Sequence, residues 1–132
     1  MTPYQLIGLP YRLGAVPEKH GAADCLSLAR AVLAHYGIDS PAPTREWYRR
    51  LRRGDYDIFP EQLERWGEIV EQPRIGAVAL CKGQVSEYCL AVYFAEVPGW
   101  LSFAGQEARW SPVEDLDIVN IYCRTSSKSV MP

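Results

Sequence analysis

Residues 24–37 read DCLSLARAVLAHYG, and this stretch carries the signals for both ends of a helix. Asp24 is a residue type that caps helix N-termini, and Gly37 is a type that ends helices. Apolar residues recur between them at the three- and four-residue spacing of one helix face: Leu28, Ala29, Val32, Leu33 and Tyr36. The sequence therefore predicts a helix that begins at Cys25 and buries one face.

The segments around this helix are predicted to be a loop and two further helices. Residues 8–21 contain three glycines and two prolines, which is typical of a loop. Residues 45–53 place Trp47, Tyr48 and Leu51 among five arginines, as in a short amphipathic helix with a charged outer face. We expect a third helix over residues 60–66.

The second half of the chain is predicted to form strands. Residues 75–80 and 85–94 are rich in β-branched, aromatic and small apolar residues, and Lys82-Gly83 lies between them, so they predict a hairpin. Shorter strands are predicted at residues 100–103 and 118–123. Helices followed by strands are the pattern of an α+β domain.

Composition limits the number of domains and the classes of partner. The chain has 132 residues, 48% of them hydrophobic, and a formal net charge of −2. We interpret residues 1–124 as a single domain and the polar residues 125–132 as a flexible tail. The low net charge favours neither nucleic acid nor a membrane surface, and the arginines of residues 45–53 are interpreted as a solvated face. With no signal peptide or membrane-spanning run, we expect a cytoplasmic protein.

Four cysteines are widely spaced and form no Cys-x-x-Cys pair, so we expect free thiols, no metal and no cofactor. Cys25 is the one with a predicted chemical role. A thiol in the first turn of a helix lies near unpaired N–H groups and the positive end of the helix dipole, which lower its pKa. The alternative is that Cys25 simply begins the buried face of the helix.

Three motifs resemble the opening of the NlpC-type cell-wall cysteine peptidases. They are LPYRLG at residues 9–14, DCLSL at residues 24–28 and YGI at residues 36–38. The resemblance implies a papain-like fold in which N-terminal helices pack on an antiparallel β-sheet. It also implies that Cys25 is the nucleophile position, and that Asp24 and Tyr11 contact a peptidoglycan stem peptide.

The chain departs from that family at the general base. Where the family has a histidine on the next strand, residues 89–93 read CLAVY, so Cys89 occupies the base position. A thiol cannot become the cation that pairs with a thiolate. The residue that orients the base falls near Ser102, with Gln106 as a second candidate. His20, in the loop before Cys25, is a substitute base by proximity, although a surface loop histidine is the simpler interpretation.

Three functions follow from these residues. The first is an NlpC-type cysteine peptidase-like protein, a hydrolase whose triad is degenerate because Cys89 replaces histidine. The second is a non-catalytic peptide-binding or assembly protein on the same fold, for example a phage tail component associated with a virion. Its partner would be a stem peptide or another protein. The third is a redox- or metal-sensitive thiol pair formed by Cys25 and Cys89.

Overall fold

A computed structural model describes residues 1–83 and 86–124 of the chain, with the side chain of Ala104 left out. The expected tail, residues 125–132, lies outside the described residues. The helices are α1 (Pro3–Leu6), α2 (Pro17–His20), α3 (Cys25–His35), α4 (Arg45–Arg52) and α5 (Ile58–Trp66). The strands are β1 (Glu68–Val70), β2 (Ala77–Lys82), β3 (Tyr88–Phe94), β4 (Gly99–Ala104), β5 (Glu107–Ser111) and β6 (Ile118–Cys123), with a short 3₁₀ helix at Val113–Asp115.

The strands form one antiparallel sheet in the order β1-β6-β2-β3-β4-β5. Strands β2 and β3 pair as the predicted hairpin, with Val78 opposite Val92 and Cys81 opposite Cys89. The predicted strand at residues 118–123 is confirmed as β6. Helices therefore accompany a six-stranded antiparallel sheet, and the α+β class is confirmed.

Helix α3 has the bounds that its capping signals predicted. It begins at Cys25 after the N-cap Asp24, and it is followed by Gly37 in the left-handed region with φ +76°. Its buried residues include Leu28, Val32 and Leu33, which pack against the apolar side chains of β3. Burying such side chains stabilises the fold by roughly 1.5–3 kcal/mol each, so α3 is the main link between the helices and the sheet.

The sheet is buried on both faces. The face toward the helices contributes Val78, Leu80, Leu90, Val92, Phe94, Leu101 and Tyr122 to the core that contains α3 and α5. The opposite face carries a second buried cluster, which includes Ala77, Ala79, Cys81, Ala91, Trp100 and Ile121. Side chains of a strand alternate between the two faces. Along β3, Leu90 and Val92 therefore face the helices, while Cys89 and Ala91 face away.

The structure differs from the sequence prediction at several places, among them the unpredicted helix α1. Helix α2 lies inside the segment predicted as loop, because Pro17 occupies the first helical position and Gly21 adopts a left-handed C-cap. Strands β1 and β5 were not predicted, because β1 has only three residues and β5 carries polar or charged residues at three of its five positions. Strand β3 begins at Tyr88, later than predicted, and residues 84–85 are outside the described part of the chain.

The segment before α2 runs beside the outer edge of β5. The Gly8 N–H donates to the Ala108 carbonyl (2.8 Å), and the Ala108 N–H donates to the Leu9 carbonyl (2.9 Å). Tyr11 N–H donates to the Gln106 carbonyl (2.8 Å). On its other side the segment pairs with Ala23, directly before α3. The loop that carries Tyr11 is thus fixed between the sheet edge and the start of α3.

Within the described residues, no helix could cross a lipid bilayer. The longest, α3, has 11 residues, whereas a membrane span needs about 20.

Gly76, directly before β2, should tolerate a side chain poorly. A Cβ there would lie 2.7 Å from Ile38 Cδ1 and 2.8 Å from the Arg124 carbonyl oxygen, at φ +92°. Gly54 has a similar φ of +80° but open space around it, so it is a matched control. Gly54→Ala should cost about 1–2 kcal/mol for its left-handed backbone alone. Gly76→Ala should cost about 1–3 kcal/mol more because of overpacking. Urea unfolding of both variants measures the difference, and equal losses would contradict the close approach.

Candidate functional site

Asp24 joins the start of α3 to the preceding loop. Its Oδ1 accepts a hydrogen bond from Ser27 N–H (2.8 Å), and its Oδ2 accepts one from Gly14 N–H (2.8 Å). The Asp24 N–H in turn donates to Ser27 Oγ (3.0 Å), which completes a capping box. The residue is 1% exposed. Both carboxylate oxygens of Asp24 therefore accept hydrogen bonds from the protein's own backbone.

Two tyrosines lie beside this carboxylate. The Tyr48 hydroxyl, on α4, hydrogen-bonds to Asp24, and the pKa of Tyr48 is raised by burial first and then by the Asp24 charge. Burial, followed by the nearby Cys25 and Asp24, raises the pKa of Tyr11 to about 12. The Tyr11 ring also packs edge-on against Phe103, with centroids 5.2 Å apart. Tyr11 thus lies next to Cys25 and Asp24.

Tyr48 completes this group, although the sequence predicted it only as part of an amphipathic helix and not as a site residue. It stands among arginines on an amphipathic helix, where an aromatic residue is interpreted as part of the apolar stripe. Its only distinguishing signal is a polar hydroxyl on the buried side of that helix. A buried hydroxyl needs a hydrogen-bond partner, and Asp24 supplies it.

The Cys25 thiol is half-buried at the first position of α3 and packs against the helix-side core. Burial raises the pKa of this thiol to about 12; hydrogen bonding from the Leu90 backbone lowers it, whereas the nearby Cys89 and Asp24 raise it. The depressed pKa expected at a helix N-terminus is wrong for this thiol, because burial outweighs the helix dipole. At neutral pH Cys25 is a protonated thiol.

The Leu90 backbone can hydrogen-bond with Cys25 because it is not paired with β4. The pairing of β3 with β4 begins at Ala91 and Ser102, one residue beyond Leu90. The backbone of Leu90 lies where β4 has separated from β3, and it hydrogen-bonds with the Cys25 sulfur. The Cys25 thiol therefore lies where the pairing between β3 and β4 ends.

Cys89 and Ser102 lie on the other side of the sheet from Cys25. Cys89 packs with the cluster on the face away from the helices. Ser102 is opposite Ala91 in the register and is buried, so it shares that face. The side chain that contacts Cys89 is Cys81, through a hydrogen bond between the two thiols. The structure brings together Tyr11, Asp24 and Cys25, but it does not add Cys89 and Ser102 to them.

Neither histidine supplies a base to Cys25. His20 is exposed, and its Nδ1 accepts a hydrogen bond from Val16 N–H (2.9 Å) in its own short helix. His35 ends α3 and pairs with Glu96 at 3.7 Å. Ten residues of helix separate it from Cys25, which is about 15 Å. No histidine is among the groups that shift the Cys25 pKa.

An apolar pocket lies between α3, α5 and the helix-side face of the sheet, and its lining includes Leu26, the residue after Cys25. Its cavity volume is about 60 Å³, within about 510 Å³ of empty space that includes open solvent. Its walls include Leu26, Leu33, Trp47, Phe59, Trp66 and Leu90. Arg30 and Gln62 are among its polar lining residues. Because the surface of the pocket is almost entirely apolar, it can bind an apolar side chain.

Metal binding finds no support in the described ranges 1–83 and 86–124. No group of three or more histidine, cysteine, aspartate or glutamate side chains there is arranged to hold a metal ion.

Comparisons with family models, with curated proteins and with solved structures found no match to this chain. The function is therefore argued from the site alone.

Asp24→Ala should lower the free energy of unfolding by about 2–3 kcal/mol, because it removes the helix cap and the acceptor for Gly14 N–H. Asp24→Asn keeps one side-chain oxygen, so it should cost about half as much. Urea unfolding compares the two variants. A loss below about 0.5 kcal/mol for Asp24→Ala would show that these hydrogen bonds do not hold the loop.

Cys25 should react slowly with iodoacetamide at pH 8. A pKa of about 12 leaves a thiolate fraction of about 10⁻⁴, roughly a thousandfold below that of an ordinary thiol. Peptide mass spectrometry of the folded protein resolves Cys25 from the other thiols, and the same protein unfolded in urea is the control. Rapid labelling of folded Cys25 that continues below pH 7 would contradict the burial argument.

Proposed function

We propose that this chain is a degenerate NlpC-type cysteine peptidase-like protein, with a papain-like fold, that binds a peptide without hydrolysing it. The observation that carries the proposal is the Cys25 thiol, which has the nucleophile's place at the start of α3 but a pKa raised to about 12. A thiol in that state is a poor nucleophile.

The papain-like part of the proposal rests on the arrangement around Cys25. The Asp24-Cys25 pair opens a helix that packs on an antiparallel sheet. The loop tyrosine, Tyr11, lies beside both residues. These are the features that the sequence motifs share with the NlpC-type peptidases.

The loss of hydrolysis follows from the missing base. Cysteine peptidases need a base that takes the thiol proton and returns it to the leaving group. Cys89 occupies the expected position, but its thiol is hydrogen-bonded to Cys81 and packs on the far side of the sheet. Triad members act as a unit, so a nucleophile without its base retains little activity.

The proposed ligand is an acidic stem peptide that binds in the apolar pocket. Stem peptides of the kind cleaved by the family carry a D-glutamate carboxylate, and Arg30, an exposed residue that borders the pocket, is its proposed partner. Trp47, Trp66 and Leu26 offer apolar contacts for the rest of the peptide. Asp24 would orient Tyr11 and Tyr48 rather than bind the peptide amine, because its oxygens already accept backbone hydrogen bonds.

The cytoplasm, or a virion, is the proposed location. The assembly role would need only a protein partner.

Incubation with a purified stem tetrapeptide should yield no cleavage product by liquid chromatography and mass spectrometry. Calorimetry should detect binding of the peptide. Cys25→Ala should change its dissociation constant by less than about twofold. Arg30→Ala should raise the dissociation constant about tenfold, the order expected for one charged hydrogen bond. Cys123→Ala, away from the pocket, is the matched control. Turnover that Cys25→Ala abolishes would establish a peptidase instead. Neither turnover nor binding would favour the assembly role.

A further inference from the structure

Cys81 and Cys89 form a cross-strand pair that the peptide-binding site does not use. They lie directly opposite each other in the β2–β3 hairpin. The Gly83 N–H donates to the Glu87 carbonyl (3.2 Å), so residues 83 and 87 form a hydrogen-bonded pair. Such pairs alternate along an antiparallel ladder. Residues 81 and 89 are therefore a hydrogen-bonded pair, with their Cα atoms about 5.5 Å apart.

This separation is within the range that a disulfide requires. Disulfides join residues whose Cα atoms are about 4.4–6.8 Å apart and whose Cβ atoms point the same way. Residues directly opposite each other in a ladder share a face, and Cys81 and Cys89 pack in the same cluster. Both are free thiols in this structure. The two sulfurs can be joined without moving the strands apart.

The two thiols differ in exposure and in protonation. Cys81 is 2% exposed, whereas Cys89 is half-buried. The hydrogen bond between them holds the pKa of Cys89 below its ordinary value and raises that of Cys81. Cys89 is thus the thiol that a solute can reach and that ionises first. Cys81 remains a protonated neighbour in contact with it.

We propose that Cys89 is a modification site for hydroperoxides, and that Cys81 resolves the oxidised product as an intramolecular disulfide. In the first step the Cys89 thiolate attacks the distal oxygen of the hydroperoxide, the O–O bond breaks, and a proton converts the leaving alkoxide to an alcohol, or to water with hydrogen peroxide. Sulfur is oxidised to sulfenic acid and the peroxide is reduced. In the second step Cys81 attacks the Cys89 sulfur. The S–S bond forms, the S–O bond breaks, and the hydroxyl leaves as water with the Cys81 proton.

The other two cysteines are not equivalent partners. Cys25, which the sequence analysis paired with Cys89, packs on the helix side of the sheet and has no hydrogen bond to Cys89. Cys123 is engaged on β6, where its thiol donates to the Ile75 carbonyl (3.7 Å) and accepts from Arg74 Nε (3.4 Å). The inference does not depend on the proposed function, because no step uses the pocket or Cys25.

The test uses the full chain treated with dilute hydrogen peroxide, blocked with N-ethylmaleimide and mapped by peptide mass spectrometry. A Cys81–Cys89 linkage that dithiothreitol reverses is expected in wild type and in Cys25→Ala and Cys123→Ala. Cys81→Ala should instead leave Cys89 as a sulfenic acid that dimedone traps. Alanine already occupies the neighbouring buried positions 79 and 91 of this face, so this variant should fold, which circular dichroism checks.

Three results would overturn the proposal. They are a linkage of Cys89 to Cys25, oxidation of Cys25 or Cys123 at least as fast as that of Cys89, and four unmodified thiols after treatment that oxidises free glutathione completely. Unfolded protein in urea is the control for intrinsic reactivity. A Cys89 that is oxidised more than tenfold faster in the folded than in the unfolded chain would support the proposal.

Discussion

The buried carboxylate of Asp24 is the interaction on which the rest of the site depends. It caps α3 through Ser27 N–H and holds the loop through Gly14 N–H. Because that loop also pairs with β5, one side chain connects the helix layer, the Tyr11 loop and the edge of the sheet. A carboxylate without these donors would be costly to bury. The loop conformation and the buried side chain of Asp24 therefore support each other.

The same burial decides the chemistry of the neighbouring thiol. A helix N-terminus favours an adjacent negative charge by about 0.3–1 kcal/mol, which corresponds to less than one pKa unit. Desolvation of Cys25 acts in the opposite direction and prevails, leaving its pKa at about 12. The Asp24 charge adds to the desolvation. The packing that makes the start of α3 rigid also makes its first residue a weak nucleophile.

Local signals predicted much of the fold. Helix α3 has a cap, a stop and an apolar face, and β6 alternates clearly, so both have the predicted bounds. Strands β1 and β5 contain few apolar residues, and their pairing depends on distant strands that no local pattern reveals. The group of Tyr11, Asp24 and Cys25 was predicted from motifs. The face of the sheet on which Cys89 lies could not be predicted. Both faces of β3 are buried, and residues 89–94, CLAVYF, have no polar side that would show which face is which.

The extended segment around Pro10 has a consequence for self-association. A sheet edge with unpaired N–H and carbonyl groups is a template on which other chains can add strands and aggregate. Here the outer edge of β5 is occupied by the segment that runs from Gly8 to Tyr11, and Ala23 pairs with the far side of that segment. Proline cannot donate a ladder hydrogen bond, so the covering segment is itself a poor template. The N-terminal loop therefore protects this edge of the sheet from the addition of further strands.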